Sequence, residues 1–149
     1  MNKYIKKKKR TKLKNKKLIK KYPFLMVRSR WTDKPISDVY EWTELDYMPD
    51  GWRKAFGEQM CQEIYGELKK FNYVHDYRIM DIKEKYGTLR WYDAGWPIGA
   101  KIGDIINKYE EMSAHTCMLC GAPAEMIDDG GWVYTLCDKC MDKIRKRMY

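Results

Sequence analysis

The chain is expected to adopt an α+β fold: a helix, a β-hairpin and a second helix forming a small body, then a four-cysteine module, with a disordered basic arm in front. Three observations lead there. Apolar residues recur at helical spacing in two stretches, β-prone runs flank two glycine-bearing turns, and four cysteines stand as two pairs, Cys117-Met-Leu-Cys120 and Cys137-Asp-Lys-Cys140, sixteen residues apart. A length of 149 residues supports one modest domain with appendages, divided here into an arm at 1–21, a body at 22–114 and a cysteine module at 115–149.

The net charge of +9 is concentrated in the arm. Residues 1–30 carry fourteen Lys or Arg and no acid; residues 31–149 carry sixteen basic and twenty-one acidic residues. Lys6, Lys7, Lys8, Lys9, Arg10, Lys12, Lys14, Lys16 and Lys17 crowd together with Ile5, Leu13, Leu18 and Ile19 as the only aliphatic residues of the arm. Charges this dense repel, so the arm is expected to be disordered in isolation. It has the chemistry to neutralise phosphates and release counterions, which binds DNA or RNA without reading sequence. The same residues suit a solvated arm that folds back on the acidic body, a nuclear localisation signal or an anionic-membrane patch. Lysine dominance argues against a mitochondrial presequence. No stretch approaches the ~20 apolar residues that span a bilayer. The apolar run from Tyr22 to Val27 is too short for a signal peptide and no cleavage site follows, so neither a membrane partner nor an oxidising compartment is expected.

Residues 22–49 read as extended and turn-rich, with Phe24, Trp31, Tyr40, Trp42 and Tyr47 among prolines and acids, and are expected to wrap the core. Asp50 then suits an N-cap, and Trp52, Phe56, Met60, Ile64 and Leu68 recur every fourth residue on one helical face. Cys61 lies beside that stripe and is read as a small buried hydrophobe. Residues 77–82 and 89–92 flank the turn Lys85-Tyr86-Gly87-Thr88, which predicts a hairpin. A second helix is expected from Ile98, Ile102, Ile105, Ile106, Tyr109 and Met112.

In the module, Asp128-Asp129-Gly130-Gly131 predicts a turn between strands at 124–127 and 132–136, and residues 138–147 have helix-friendly composition with cations near the end. The spacing of Cys117, Cys120, Cys137 and Cys140 predicts one structural zinc ion, and Gly121 sits where a knuckle needs an unusual backbone angle. Disulfides or a redox pair fit less well, because two pairs bracket a glycine-rich turn and no βαβ pattern accompanies them. Knuckle, hairpin and helix resemble a treble-clef zinc finger; without the final helix the same residues make a zinc ribbon. Four thiolates close the zinc shell and leave no place for a catalytic water.

Catalytic chemistry finds little support. His75 and His115 are too few for an HNH nuclease site, and His115 is read as an ordinary polar residue beside a satisfied metal. No Ser–His–Asp set, P-loop or G-x-G-x-x-G occurs. Asp81, Glu84 and Lys85 offer acids and a base for a metal-dependent nuclease, but residues three apart on a strand face opposite sides. Arg90 and Tyr92 share a strand face, a pairing suited either to a phosphate and an unpaired base or to cross-strand packing.

Three segments resemble uncharacterised small zinc-finger proteins of phages and prophages: Met48-Pro49-Asp50-Gly51-Trp52-Arg53-Lys54-Ala55-Phe56-Gly57, residues 82–92, and the stretch from Thr116-Cys117 through Gly130-Gly131-Trp132 to Leu136-Cys137. The resemblance covers roughly residues 22–140. It implies a phage or prophage origin and a bacterial cytoplasm, and it implies no activity; the lysine arm is an addition to the pattern. The expectation is a non-enzymatic, zinc-stabilised adaptor touching nucleic acid through its arm and through Arg90 and Tyr92, and a host or phage protein through its aromatic, acidic body. The alternatives are an inhibitor of a host defence or transcription complex, docking its acidic body in a basic groove, and a nuclease built on Asp81, Glu84 and Lys85.

Overall fold

A computed structural model of the protein describes residues 2–36 and 40–148; residues 37–39 of the expected wrapping segment lie outside it. The first element corrects the expectation of a disordered arm. Lys3–Lys21 form a helix, α1, capped by Asn2, whose side chain accepts from the Tyr4 amide, and ended by Tyr22-Pro23, where the residue before proline leaves the helical region. Lysine is a good helix former, and α1 has no Gly or Pro to break it. What holds it against self-repulsion is a narrow inward face. Ile19 is buried in the core, the Asn15 amide donates to the Tyr40 carbonyl at 2.9 Å, and Lys8 and Lys12 reach Glu41 at 2.7 and 3.4 Å. The repulsion is spread over the opposite, solvated side.

From Tyr22 the chain wraps the body as expected, through short 3-10 turns at Pro23–Leu25 and Glu44–Tyr47. Tyr22, Phe24, Leu25, Leu45 and Met48 are buried, whereas Trp31 and Trp42 face solvent. Arg78 grips the Asp33 carboxylate through two nitrogens at 2.7 and 3.0 Å and ties this wrap to the first hairpin.

The helix predicted from the every-fourth-residue stripe is present, with its N-cap at Pro49 and Asp50 as its first helical residue. It runs through α2 (Asp50–Trp52), a π-helical turn Arg53–Gly57 and α3 (Glu58–Lys70). Four residues overshoot an α-helical turn by about 40° at 100° per residue. The wider π turn takes back part of that drift, so Trp52, Phe56, Met60, Ile64 and Leu68 all stay buried on one side. Burial of each such side chain contributes roughly 1.5–3 kcal/mol before chain entropy is subtracted. Cys61 is fully buried beside them, and burial pushes its thiol up.

β1 (Ile79–Lys85) and β2 (Thr88–Asp93) pair antiparallel across Tyr86-Gly87, whose φ angles of 53° and 78° are those of a type I′ turn. Ile82, Leu89 and Trp91 point into the core. The buried Tyr77 hydroxyl donates to Asp93 at 2.5 Å and accepts from the Trp91 indole at 3.0 Å. α4 (Ile102–Ser113) packs on α3 and β2 through Ile102, Ile106 and Tyr109. Ile98, expected on this helix, precedes it and is fully exposed.

β3 (Glu125–Asp129) and β4 (Trp132–Leu136) form the second hairpin around Gly130-Gly131, and α5 (Asp138–Arg147) follows. This module is bonded to the body. The Thr135 hydroxyl donates to the Gly87 carbonyl at 2.6 Å, while within the body the Leu89 amide donates to Ser113 Oγ at 2.8 Å and fixes the end of α4 from which the module continues.

Candidate metal centre

The four cysteines come from two backbone turns brought together by the β3–β4 hairpin. In the first, the Cys117 amide donates to the Ala122 carbonyl at 2.7 Å and the Gly121 amide to the Cys117 carbonyl at 2.9 Å, with Gly121 at φ 82°. In the second, Cys137 is the N-cap of α5 and Cys140 lies in its first turn, where the positive end of the helix favours thiolate charge. All four sulfurs lie within 4.8 Å of one another, and those of Cys120 and Cys137 are 3.6 Å apart. Such a group can hold a metal ion. Among the described residues, no other set of three or more His, Cys, Asp or Glu side chains converges in this way.

The electrostatics fit a cation as well. Burial works against charge on Cys117, yet backbone N–H groups of Cys137, Cys120 and Leu119 outweigh it and bring this thiol down to about 6. Cys140 is pushed up to about 12, by burial first and then by its three sulfur neighbours. One thiolate forms readily and the next is resisted by it. A divalent cation held by these thiolates would remove that resistance.

The first turn rests on the start of the α2 helix, a support invisible in the cysteine spacing. The Gly51 amide donates to the Met118 carbonyl at 3.0 Å, and the Trp52 indole N–H donates to the Thr116 carbonyl at 2.7 Å. A Cβ on Gly51 would stand 2.2 Å from the Cys117 carbonyl oxygen. The sequence sign of this contact is a glycine in the first turn of a helix, where it otherwise costs stability.

His115 lies outside the sulfur cluster, exposed between Glu111 and Glu125 at 3.7 and 3.3 Å. Asp81, Glu84 and Lys85 do not converge. Asp81 pairs with Lys83 at 2.9 Å, Glu84 accepts from the Gly87 amide at 2.7 Å and so caps the hairpin turn, and the Lys85 ammonium lies 5.7 Å from the Tyr86 ring centre. Arg90 and Tyr92 do share the outward face of β2. Arg90 approaches Glu110 at 4.0 Å, and Lys83 stands 5.5 Å from the Tyr92 ring centre.

The arm's cations are sorted by the helix. At 100° per residue, Lys3, Arg10 and Lys17 form one outward row and Lys7 and Lys14 its neighbour, with Lys6 alongside, all exposed; Lys21, on the same side, reaches Glu58 at 3.4 Å instead. Lys8 and Lys12 turn inward to Glu41, and Lys16 stands 5.9 Å from the Tyr40 ring centre. At 1.5 Å per residue the rows from Lys3 to Lys17 form a cationic strip of about 21 Å. No described helix is long and apolar enough to cross a membrane.

Comparisons with protein families, with curated proteins and with solved structures return no match.

Proposed function

We propose that the protein is a non-enzymatic, zinc-stabilised adaptor that binds nucleic acid through the outward face of α1. The observation that carries the reading is the separation of α1 into a docked face and a solvated face lined by two rows of cations. A strip of this kind follows phosphates and needs no base contact, which means affinity without sequence preference. Zinc is the ion best suited to the cysteine cluster. Thiolates about 2.3 Å from zinc stand about 3.8 Å apart in a tetrahedron, close to the 3.6 Å between Cys120 and Cys137. A knuckle, a hairpin and a helix donating the last two ligands follow the order of a treble clef. The ion's role is structural, joining turns that the hairpin alone holds weakly.

The setting implied by the sequence resemblance is a bacterial cytoplasm carrying a phage or prophage.

The test is binding of mixed-sequence DNA and RNA by the full chain. Reversing Lys6, Arg10 and Lys17 to Glu together is expected to abolish binding while helical content and metal content stay unchanged. Asp81→Ala is expected to leave binding intact. Unchanged binding in the triple variant rules out the α1 reading, and magnesium-dependent cleavage of nucleic acid lost in Asp81→Ala rules out the non-enzymatic one.

A further inference from the structure

Beside the cationic strip lies a groove of about 680 Å³, lined by Tyr4, Lys7, Lys8, Thr11 and Lys12 of α1 and by Glu41, Trp42 and Asp46 of the wrapping segment. This is within the roughly 300–1,000 Å³ of clefts that accept small ligands. Its aromatic rings are uncovered. Tyr4 is 73% exposed and Trp42 is 54% exposed, and Trp42 stacks on Tyr47 at a ring distance of 6.4 Å and an angle of 22°. That stack holds the indole in place without hiding it.

The groove's two acids are already engaged. Glu41 sits between Lys8 and Lys12, which hold its carboxyl below the usual range, and Asp46 accepts from the Thr43 amide at 2.6 Å and pairs with Arg53. Lys7 lies on the rim, in the same row as Lys14. The groove therefore joins a stacking surface to a cationic edge continuous with the strip.

We propose that this groove receives an unpaired base of a single-stranded nucleic acid, stacked on Trp42 and flanked by Tyr4, while the adjoining phosphates follow Lys3 and Lys7. The inference rests on the nucleic-acid reading of α1 and gives it a substrate class. A base inside a duplex has both faces covered by its neighbours and cannot use an aromatic platform, whereas every unpaired base can. The outward rows themselves carry no aromatic residue, so they serve duplex and single strand alike; the groove makes the difference.

The experiment compares the full-length protein with its Trp42→Ala and Trp42→Phe variants on oligothymidylate and on a mixed-sequence duplex at one fixed salt concentration. Trp42→Ala is expected to weaken oligothymidylate binding on the order of tenfold. Duplex binding is expected to stay unchanged and to report that the variant is folded, and Trp42→Phe is expected to restore most of the single-strand affinity. Unchanged oligothymidylate binding in Trp42→Ala overturns the groove, as does an equal loss on both ligands. If charge reversal of Lys6, Arg10 and Lys17 still abolishes binding in that case, the α1 reading survives without the groove. If the native protein binds neither ligand, both fall.

Discussion

At Gly51 the fold leaves no room for even a methyl group, because the atoms a Cβ would meet are backbone: the Cys117 carbonyl oxygen at 2.2 Å and the Gly121 nitrogen at 2.7 Å. Gly51→Ala is expected to cost about 3 kcal/mol in thermal or denaturant unfolding and to weaken metal retention, since the first cysteine turn must shift. Gly66, on α3 with open space around it, is the control: Gly66→Ala is expected to stabilise by about 0.5–1 kcal/mol. Equal effects at the two sites contradict the buttress. Glu44 gives a second residue-scale test. Burial raises its carboxyl to about 7, with Arg30 opposing and Asp81 adding to the rise. The folded state then holds the proton more tightly than the unfolded chain, whose carboxyl titrates near 4.5. Stability is lost as pH rises from about 4.5 through 7 and levels off above. Glu44→Gln is expected to remove that slope and to stabilise the protein at pH 8 by about 1 kcal/mol, allowing for the part of the side chain that solvent screens. A parallel pH profile in the variant contradicts the assignment.

Among the elements, α1 shows what a linear reading of charge leaves out. The cysteine pairs, the stripe from Trp52 to Leu68 and both hairpin turns were legible because spacing alone carries them. The order of α1 was not, because it depends on which side of a helix each lysine falls and on Glu41 and Tyr40, at least twenty-five residues beyond the side chains they hold, Lys8, Lys12 and Asn15. The π turn at Arg53–Gly57 was hidden for a related reason: a spacing of four reads as an ordinary helix until the accumulated drift is counted. The site was legible in its four cysteines but not in its support, since Gly51 and Trp52 meet the first knuckle across more than sixty residues of chain. Two tests follow for α1. Ile19→Ala is expected to cost about 2–4 kcal/mol, because Ile19 seats the helix in the core. Glu41→Gln is expected to leave that seat intact while residues 3–12 exchange their amide hydrogens faster. Lys8 and Lys12 hold the Glu41 carboxyl below its ordinary value, so this anchor is present above about 4.5 and is lost as pH falls through the lowered value. Uniform exchange along α1 in the variant contradicts the anchor.

For the molecule as a whole, the metal centre and the body are expected to lose structure together on chelation. Gly51, Trp52 and Gly87 are bonded to residues 116–135, so stripping the ion should raise hydrogen exchange in residues 116–149 and also at the start of α2 and the tip of the first hairpin. Loss confined to residues 116–149 would mean that the two parts are only lightly joined. The central claim, that α1 presents an outward cationic strip to phosphates, is tested most directly by the salt dependence of nucleic-acid binding. In a plot of log affinity for a mixed-sequence duplex against log salt concentration, the native protein is expected to give a steep straight line. Replacing Lys6, Arg10 and Lys17 together by Ala is expected to make it shallower by roughly 2–3 units, because three fewer phosphates shed their counterions. A flat line for the native protein, or the same slope in the triple variant, contradicts the claim.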